Sequence, residues 1–196
     1  MKVICISGHA QHGKDSTALY LKDCLELDNC RVLITHYGDL LKYICRTFFE
    51  WDGVKNEVGR TLLQTVGTEI IRKDRPDYWV DFLADCLDWC QQEWDYVLLP
   101  DCRFPNEISK LEMSGFDVTH MRVIRPSFDN GLSKEQRNHP SETAMDNVTP
   151  DVYIHNSGDL NDLLVTVAYW VNGSSDSHQL EFIEFFEEIA HKEVIE

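Results

Sequence analysis

The sequence predicts an α/β protein, a five-stranded, mostly parallel sheet with helices on both faces. Three observations carry that expectation. Short β-branched runs alternate along the chain with segments of helical spacing, which is the plan of strands joined by crossover helices. Residues 95–100 (DYVLLP) are nearly all apolar, as in a strand buried on both faces. The first such run also passes straight through a glycine-bounded turn into a helical segment.

The elements follow in order. Residues 2–7 (KVICIS) form the first strand and end at Gly8. From Lys14 to Leu27 the apolar residues Ala18, Leu21 and Leu25 recur at helical spacing. Residues 31–36 (RVLITH) read as the second strand. From about 38 to 93 the pattern is helical, with breaks near Trp51-Asp52-Gly53 and at Arg75-Pro76. After the 95–100 strand, Pro105 opens a short helix that runs to Ser114. Residues 117–124 (DVTHMRVI) are the fourth strand. The stretch 127–150 is polar and rich in Ser, Asn and Pro, so a long loop is expected there. A strand at 151–155 and a helix at 159–171 complete the unit. The tail 173–196 holds seven acids and one Lys, with Leu180, Ile183, Phe186 and Ala190 on one apolar helical face.

Composition narrows the function. The 196 residues carry 18 Lys and Arg against 34 Asp and Glu, a net charge of −16. That argues against nucleic acid or an anionic membrane as the partner, since either needs a basic face. No apolar run approaches the ~18 residues that span a bilayer. Seven cysteines without paired spacing make zinc ligation and a disulfide framework poor readings, so a cytoplasmic location is expected. An anionic substrate would require the few cations to converge on one site.

Gly8-His9-Ala10-Gln11-His12-Gly13-Lys14 lies between a predicted strand and a predicted helix, the context in which G-x-x-x-x-G-K is a phosphate loop. Glycines let successive N–H groups converge on phosphate oxygens, the helix N-terminus adds positive potential, and Lys14 supplies a mobile charge. The next residue is Asp15 instead of Ser or Thr, followed by Ser16 and Thr17. Ser16 and Asp15 are candidates for magnesium, Asp15 alternatively for a first-turn acid favoured by the helix dipole. His12 reads equally as a phosphate contact or a solvent-facing loop residue.

At the end of the 95–100 strand, Asp101 and Arg103 would face the crevice where ligands collect in doubly wound sheets. Asp101 is read as a magnesium support or a turn former, Arg103 as a phosphate ligand or an ion-pair partner. A third cluster, Arg72-Lys73-Asp74-Arg75 with Trp79, concentrates cations in an acidic chain. Trp79 is either a stacking face for a base or a core residue.

In combination, GHAQHGKDST, LQTVGTEIIRKDRPDYW, PDCRFPNEI and VIRP followed by HPSETAMDN resemble the phage-type deoxynucleoside monophosphate kinases, in collinear order over residues 2–171. The resemblance implies the P-loop nucleotide kinase fold and Mg2+-dependent transfer of the ATP γ-phosphoryl group to a (d)NMP. It implies a kinase domain over 1–172, with an acceptor-binding helical region at about 37–93 and a lid at about 126–148, and it leaves the tail 173–196 without a counterpart. By the same resemblance Gly8, Gly13, Lys14, Ser16 and Thr17 would hold ATP, and Asp39, Lys42, Gly67, Arg72, Arg75 and Trp79 the acceptor. Asp101 and Arg103 would match its strand-end motif, Glu107 an acid in the helix that follows, and Arg137 and His139 its lid. The transferring phosphoryl group would then be surrounded by Lys14, Arg103 and a lid-side arginine, Arg137 or Arg125. The partners expected are small-molecule nucleotides, with a homodimer left open.

Two other readings remain. The GKD loop, the strand-end D-x-R and Ser141-Glu142-Thr143-Ala144-Met145-Asp146 are also shared with animal-type phosphomevalonate kinases. A phosphate-loop protein that binds nucleotide without turnover would satisfy the loop alone.

Overall fold

The structure is a computed structural model and describes residues 1–173. The strands β1 (Lys2–Ser7), β2 (Val32–Ile34), β3 (Tyr96–Leu99), β4 (Asp117–Ile124) and β5 (Val152–His155) form one sheet in the order β2-β3-β1-β4-β5. Every neighbouring pair is parallel. β1 therefore lies at the centre, and its side chains alternate between two cores. Val3 and Cys5 face a cluster with Trp79, Leu83, Leu87 and Leu111, while Ile4 and Ile6 face one with Leu21, Met121, Leu163 and Val167. Complete burial of an Ile or Leu stabilises by about 2 kcal/mol, so substitutions along β1 weaken both layers.

The first face is covered by α4 (Tyr78–Trp89) and α5 (Pro105–Met113), the second by α1 (Lys14–Leu27) and α8 (Leu160–Asn172). Local signals set the helix ends. Pro105 occupies the first turn of α5, and Glu107 reaches back to the Phe104 N–H at 3.0 Å. Asp159 caps α8 by accepting from the N–H groups of Asn161 and Asp162.

Between β2 and β3 the chain builds a helical outcrop from α2 (Gly38–Phe48), α3 (Glu57–Gln64) and a π-helix, Thr65–Arg72. Trp51, Cys45 and Val66 make its small core. The π turn falls on weak helix formers, Thr65, Val66, Gly67 and Thr68, and the Gly67 carbonyl accepts from Trp79 Nε1 at 3.0 Å.

Two expectations change. The second strand is shorter than 31–36, because pairing with β3 covers Val32–Ile34. The segment 127–150 is not a plain loop. It contains α6 (Lys134–Arg137), capped by the Ser133 hydroxyl, and α7 (Pro140–Thr143), capped by the His139 ring. The apolar tail helix expected at 173–196 lies outside the described residues. Among the described residues, no helix is long and apolar enough to cross a membrane.

Candidate active site

The carboxyl ends of β1 and β3 open into a cleft of about 320 Å³, with the glycine loop on one wall and the helical outcrop on the other. Close backbone approach explains both loop glycines. Gly8 has φ +143°, and a Cβ there would lie 2.4 Å from the Val123 carbonyl. Gly13 has φ +99°, and its Cβ would lie 2.7 Å from Asn156 Nδ2. Asn156, just past β5, also donates to the His12 carbonyl at 3.0 Å, bracing the loop from behind.

Lys14 opens α1 and is almost fully buried. Its ammonium donates to the carbonyls of Gly8 (2.7 Å) and His9 (2.8 Å), so it lies folded on its own loop. Burial, reinforced by the charge of Arg103, pulls the Lys14 pKa down to about 8. Asp15 lines the cleft beside it, 3.7 Å from the His36 imidazole, which holds the Asp15 carboxyl below its ordinary range.

Three of the loop residues stand away from the cleft. His12 is turned away from the cleft, since its Nδ1 accepts from the Arg125 backbone N–H at 3.1 Å. Burial, then the charge of nearby His9, lowers its pKa and favours the neutral ring that this bond needs. Ser16 and Thr17, in the first turn of α1, are not among the residues that line the cleft. Thr17 faces the core, and its hydroxyl is buried without a partner.

Asp101 and Arg103 stand at the end of β3. The carboxylate of Asp101 accepts from the N–H groups of Tyr37 (3.0 Å) and Gly38 (2.9 Å), fastening the α2 N-terminus to the strand end. Both its oxygens thus have backbone partners. Arg103 donates to the Ser141 carbonyl at 2.9 Å and pairs with the Glu142 carboxylate at 2.5 Å. It is an ion-pair partner as well as a cleft residue. Glu142 was quoted in the sequence pattern without a role, and its other oxygen accepts from the Ala10 N–H of the loop at 3.0 Å. Burial opposes its ionisation, but Arg103, the Ala10 N–H and Lys14 together hold its pKa down.

On the far wall the sequence assignments divide. Lys42 lines the cleft, whereas Asp39 does not and acts as its partner at 2.7 Å. Arg72 turns inward, pairing with Glu107 at 2.6 Å, donating to Asn106 and Pro76, and stacking 3.9 Å from the Phe104 ring centre. Burial pushes Glu107 up to about 7, against the pull of Arg72 and of the Arg103 and Phe104 N–H groups. Arg72 and Glu107 are thus a buried strut of the wall. Arg75 lies outside the cleft, its guanidinium 5.0 Å from the Tyr78 ring centre. Trp79 is 4% exposed and reaches the cleft only as part of its wall, so the core reading describes it and an open stacking face does not. Arg137 also misses the cleft. It pairs with Asp129 at 3.1 Å and donates to the Leu132 carbonyl, while His139 caps α7.

Two cations were missed. Lys55 and Arg60 line the cleft opposite the glycine loop, carried there by the α2–α3 connection and α3. Burial, with Lys42 nearby, lowers the Lys55 pKa. No motif marks KNEVGR in sequence; only the fold brings it round. Leu41, Leu63 and Phe104 line the cleft with them and make part of the wall apolar.

Among the described residues, no group of three or more His, Cys, Asp or Glu side chains is placed to hold a metal ion. Asp15, Ser16 and Asp101 therefore do not assemble a metal cage. That still fits magnesium, which is commonly held by one or two carboxylates together with substrate phosphates.

The sequence model of the deoxynucleotide monophosphate kinase family matches residues 39–167, a span that begins beyond the glycine loop. The deoxynucleotide monophosphate kinase of Enterobacteria phage T4 is 34% identical over 107 residues, covering 53% of this chain and 41% of that protein. The chain thus spans about two fifths of the length of this relative. Among solved structures, the APS kinase of Mycobacterium tuberculosis in complex with AMPPNP and APS aligns with a TM-score of 0.45 at 12% identity, covering 88% of this chain and 98% of that one. A putative kinase from Chloroflexus aurantiacus aligns with a TM-score of 0.46 at 12% identity, covering 89% and 98%.

Proposed function

The chain belongs to the deoxynucleotide monophosphate kinase family, and on that premise we propose that it transfers the γ-phosphoryl group of ATP to a deoxynucleoside monophosphate. The observation that carries the proposal is one cleft with two cationic walls. Ala10, Gln11 and Lys14 of the glycine loop and helix start line it together with Lys42, Lys55 and Arg60 of the helical outcrop and with Arg103 from the end of β3. A donor triphosphate and an acceptor monophosphate are both anions, so such a reaction needs positive charge on each side and a cation at the centre. The apolar surface of Leu41, Leu63 and Phe104 suits a base more than a small polar acceptor.

Phosphoryl transfer at this site is alignment and charge compensation. The second ionisation of a phosphate monoester lies near ~6, so the acceptor oxygen is already deprotonated and needs no general base. The loop N–H groups and Lys14 would orient the donor, and Lys42, Lys55 and Arg60 the acceptor. Arg103 would meet the charge that spreads over the transferring oxygens. Asp15 and Asp101 are the cleft carboxylates that would hold magnesium, directly or through water, and the ion would supply charge neutralisation at the donor phosphates. The division into a unit over 1–172, an acceptor region at 37–93 and a lid at 126–148 belongs to the same reading.

Initial rates with ATP against deoxy- and ribonucleoside monophosphates, with phosphomevalonate as the non-nucleotide acceptor, test it. ADP release that depends on a deoxynucleoside monophosphate supports the proposal. ADP release stimulated only by phosphomevalonate, or by no acceptor, refutes it.

A further inference from the structure

The Glu142 carboxylate sits among the groups expected to receive the outermost phosphate of a donor nucleotide. One oxygen accepts from the Ala10 N–H at 3.0 Å, the other pairs with Arg103, and Lys14 lies close enough to stabilise its charge. The side chain is 5% exposed and rides on α7, a single helical turn. A carboxylate has no evident task in the reaction proposed above. The acceptor needs no base, and a fixed negative charge beside the transferring group would oppose it.

Arginine and loop N–H groups recognise carboxylates and phosphates by the same geometry, and the single Ala10 N–H and the Arg103 Nη1 hydrogen that meet Glu142 can each hold only one anion at a time. The N–H groups around Gly13 and Lys14, where an inner phosphate would rest, do not contact Glu142. The competition is therefore confined to the outermost phosphate.

We propose that Glu142 is an internal stand-in for the terminal phosphate of ATP: it holds Ala10 and Arg103 while the site is empty and is displaced, with α7, when a triphosphate binds. This makes Glu142 a positioning residue. It keeps the Arg103 guanidinium pointed at the future phosphoryl position and discriminates between triphosphate and diphosphate. The inference rests on the kinase reading, because it presupposes a nucleotide on the glycine loop.

Titration calorimetry with ATP and with ADP, without acceptor, tests it on the full chain and on Glu142→Ala and Glu142→Gln, with thermal melts to establish folding. Removing the competing charge should tighten ATP binding about tenfold in Glu142→Ala while ADP affinity changes less than twofold. Glu142→Gln, which keeps the volume but loses the charge, should shift the same way, and it decides alone if the alanine variant does not fold. Equal shifts for ATP and ADP, unchanged affinities, or weaker ATP binding overturn the stand-in while leaving the kinase reading intact. Failure of the unaltered protein to bind either nucleotide overturns both.

Discussion

The two walls of the cleft are built by different rules. The glycine-loop wall is made by the six consecutive residues between β1 and α1, with Lys14 opening the helix that follows. On the wall proposed to take the acceptor the cations are side chains from separate elements, Lys42 on α2, Lys55 before α3 and Arg60 on α3. The first wall is fixed by conformation, the second by long-range assembly. Three cations therefore share the proposed acceptor wall, while the loop wall has a single movable charge, Lys14.

The largest effect should therefore fall on the loop wall. Lys14→Ala is expected to lower turnover about 10³-fold, or ~4 kcal/mol of transition-state stabilisation, while a melting curve shows a native fold. Single-turnover rates at saturating nucleotide measure it. Near-normal turnover would erase the distinction between the walls. On the opposite side, Arg60→Ala should raise the KM for the monophosphate about tenfold and leave that for ATP nearly unchanged, since Lys42 and Lys55 remain. A drop in kcat as large as that of Lys14→Ala would show that the acceptor wall is no more redundant than the loop.

A pH series sharpens the contrast. With the Lys14 pKa at about 8 in the free protein, the ammonium is lost as pH rises through that value. A bound phosphate favours the charged form, so ATP binding above pH 8 must take up a proton. ATP affinity should then weaken about fivefold from pH 8 to pH 9. Calorimetry in buffers of different ionisation enthalpy detects the proton. The smallest effect is expected from Arg137→Ala, because Arg137 is 53% exposed and paired with Asp129 away from the cleft. Its turnover should stay within about twofold of the parent, and a ~100-fold loss would mean that the α6 segment swings into the site during catalysis.

The same contrast explains what could be read in the sequence. The loop was legible because its determinants are contiguous. A strand, two glycines, a lysine and a helix appear in order, and β4 matches its expected limits at Asp117–Ile124. The order of strands and helices was legible for the same reason. Arg72 and Arg75 misled because a cationic cluster in sequence does not say which way each side chain turns. The π-helix carries Arg72 onto Glu107, while Arg75 lies beside Tyr78 at the surface. Trp79 had its two readings stated, and the bond to the Gly67 carbonyl, twelve residues away, decides for the core. Lys55, Arg60 and the contact of Glu142 with Ala10, 132 residues apart, were invisible because they exist only after the chain has closed on itself.

The loop is contiguous in sequence, yet its supports are not, and this bears on how the molecule is made. Gly8 packs on the Val123 carbonyl, His12 hydrogen-bonds the Arg125 backbone, and Asn156 holds the loop from behind. β1, made before the other four strands of the sheet, belongs at its middle and has no lasting neighbour until β3 and β4 have followed. The glycine loop is thus synthesised before the elements that give it its shape. A nascent chain released before residue 156 would carry the whole glycine motif without the Asn156 brace, so the loop geometry proposed to grip a phosphate is completed only after the last strand of the sheet is made.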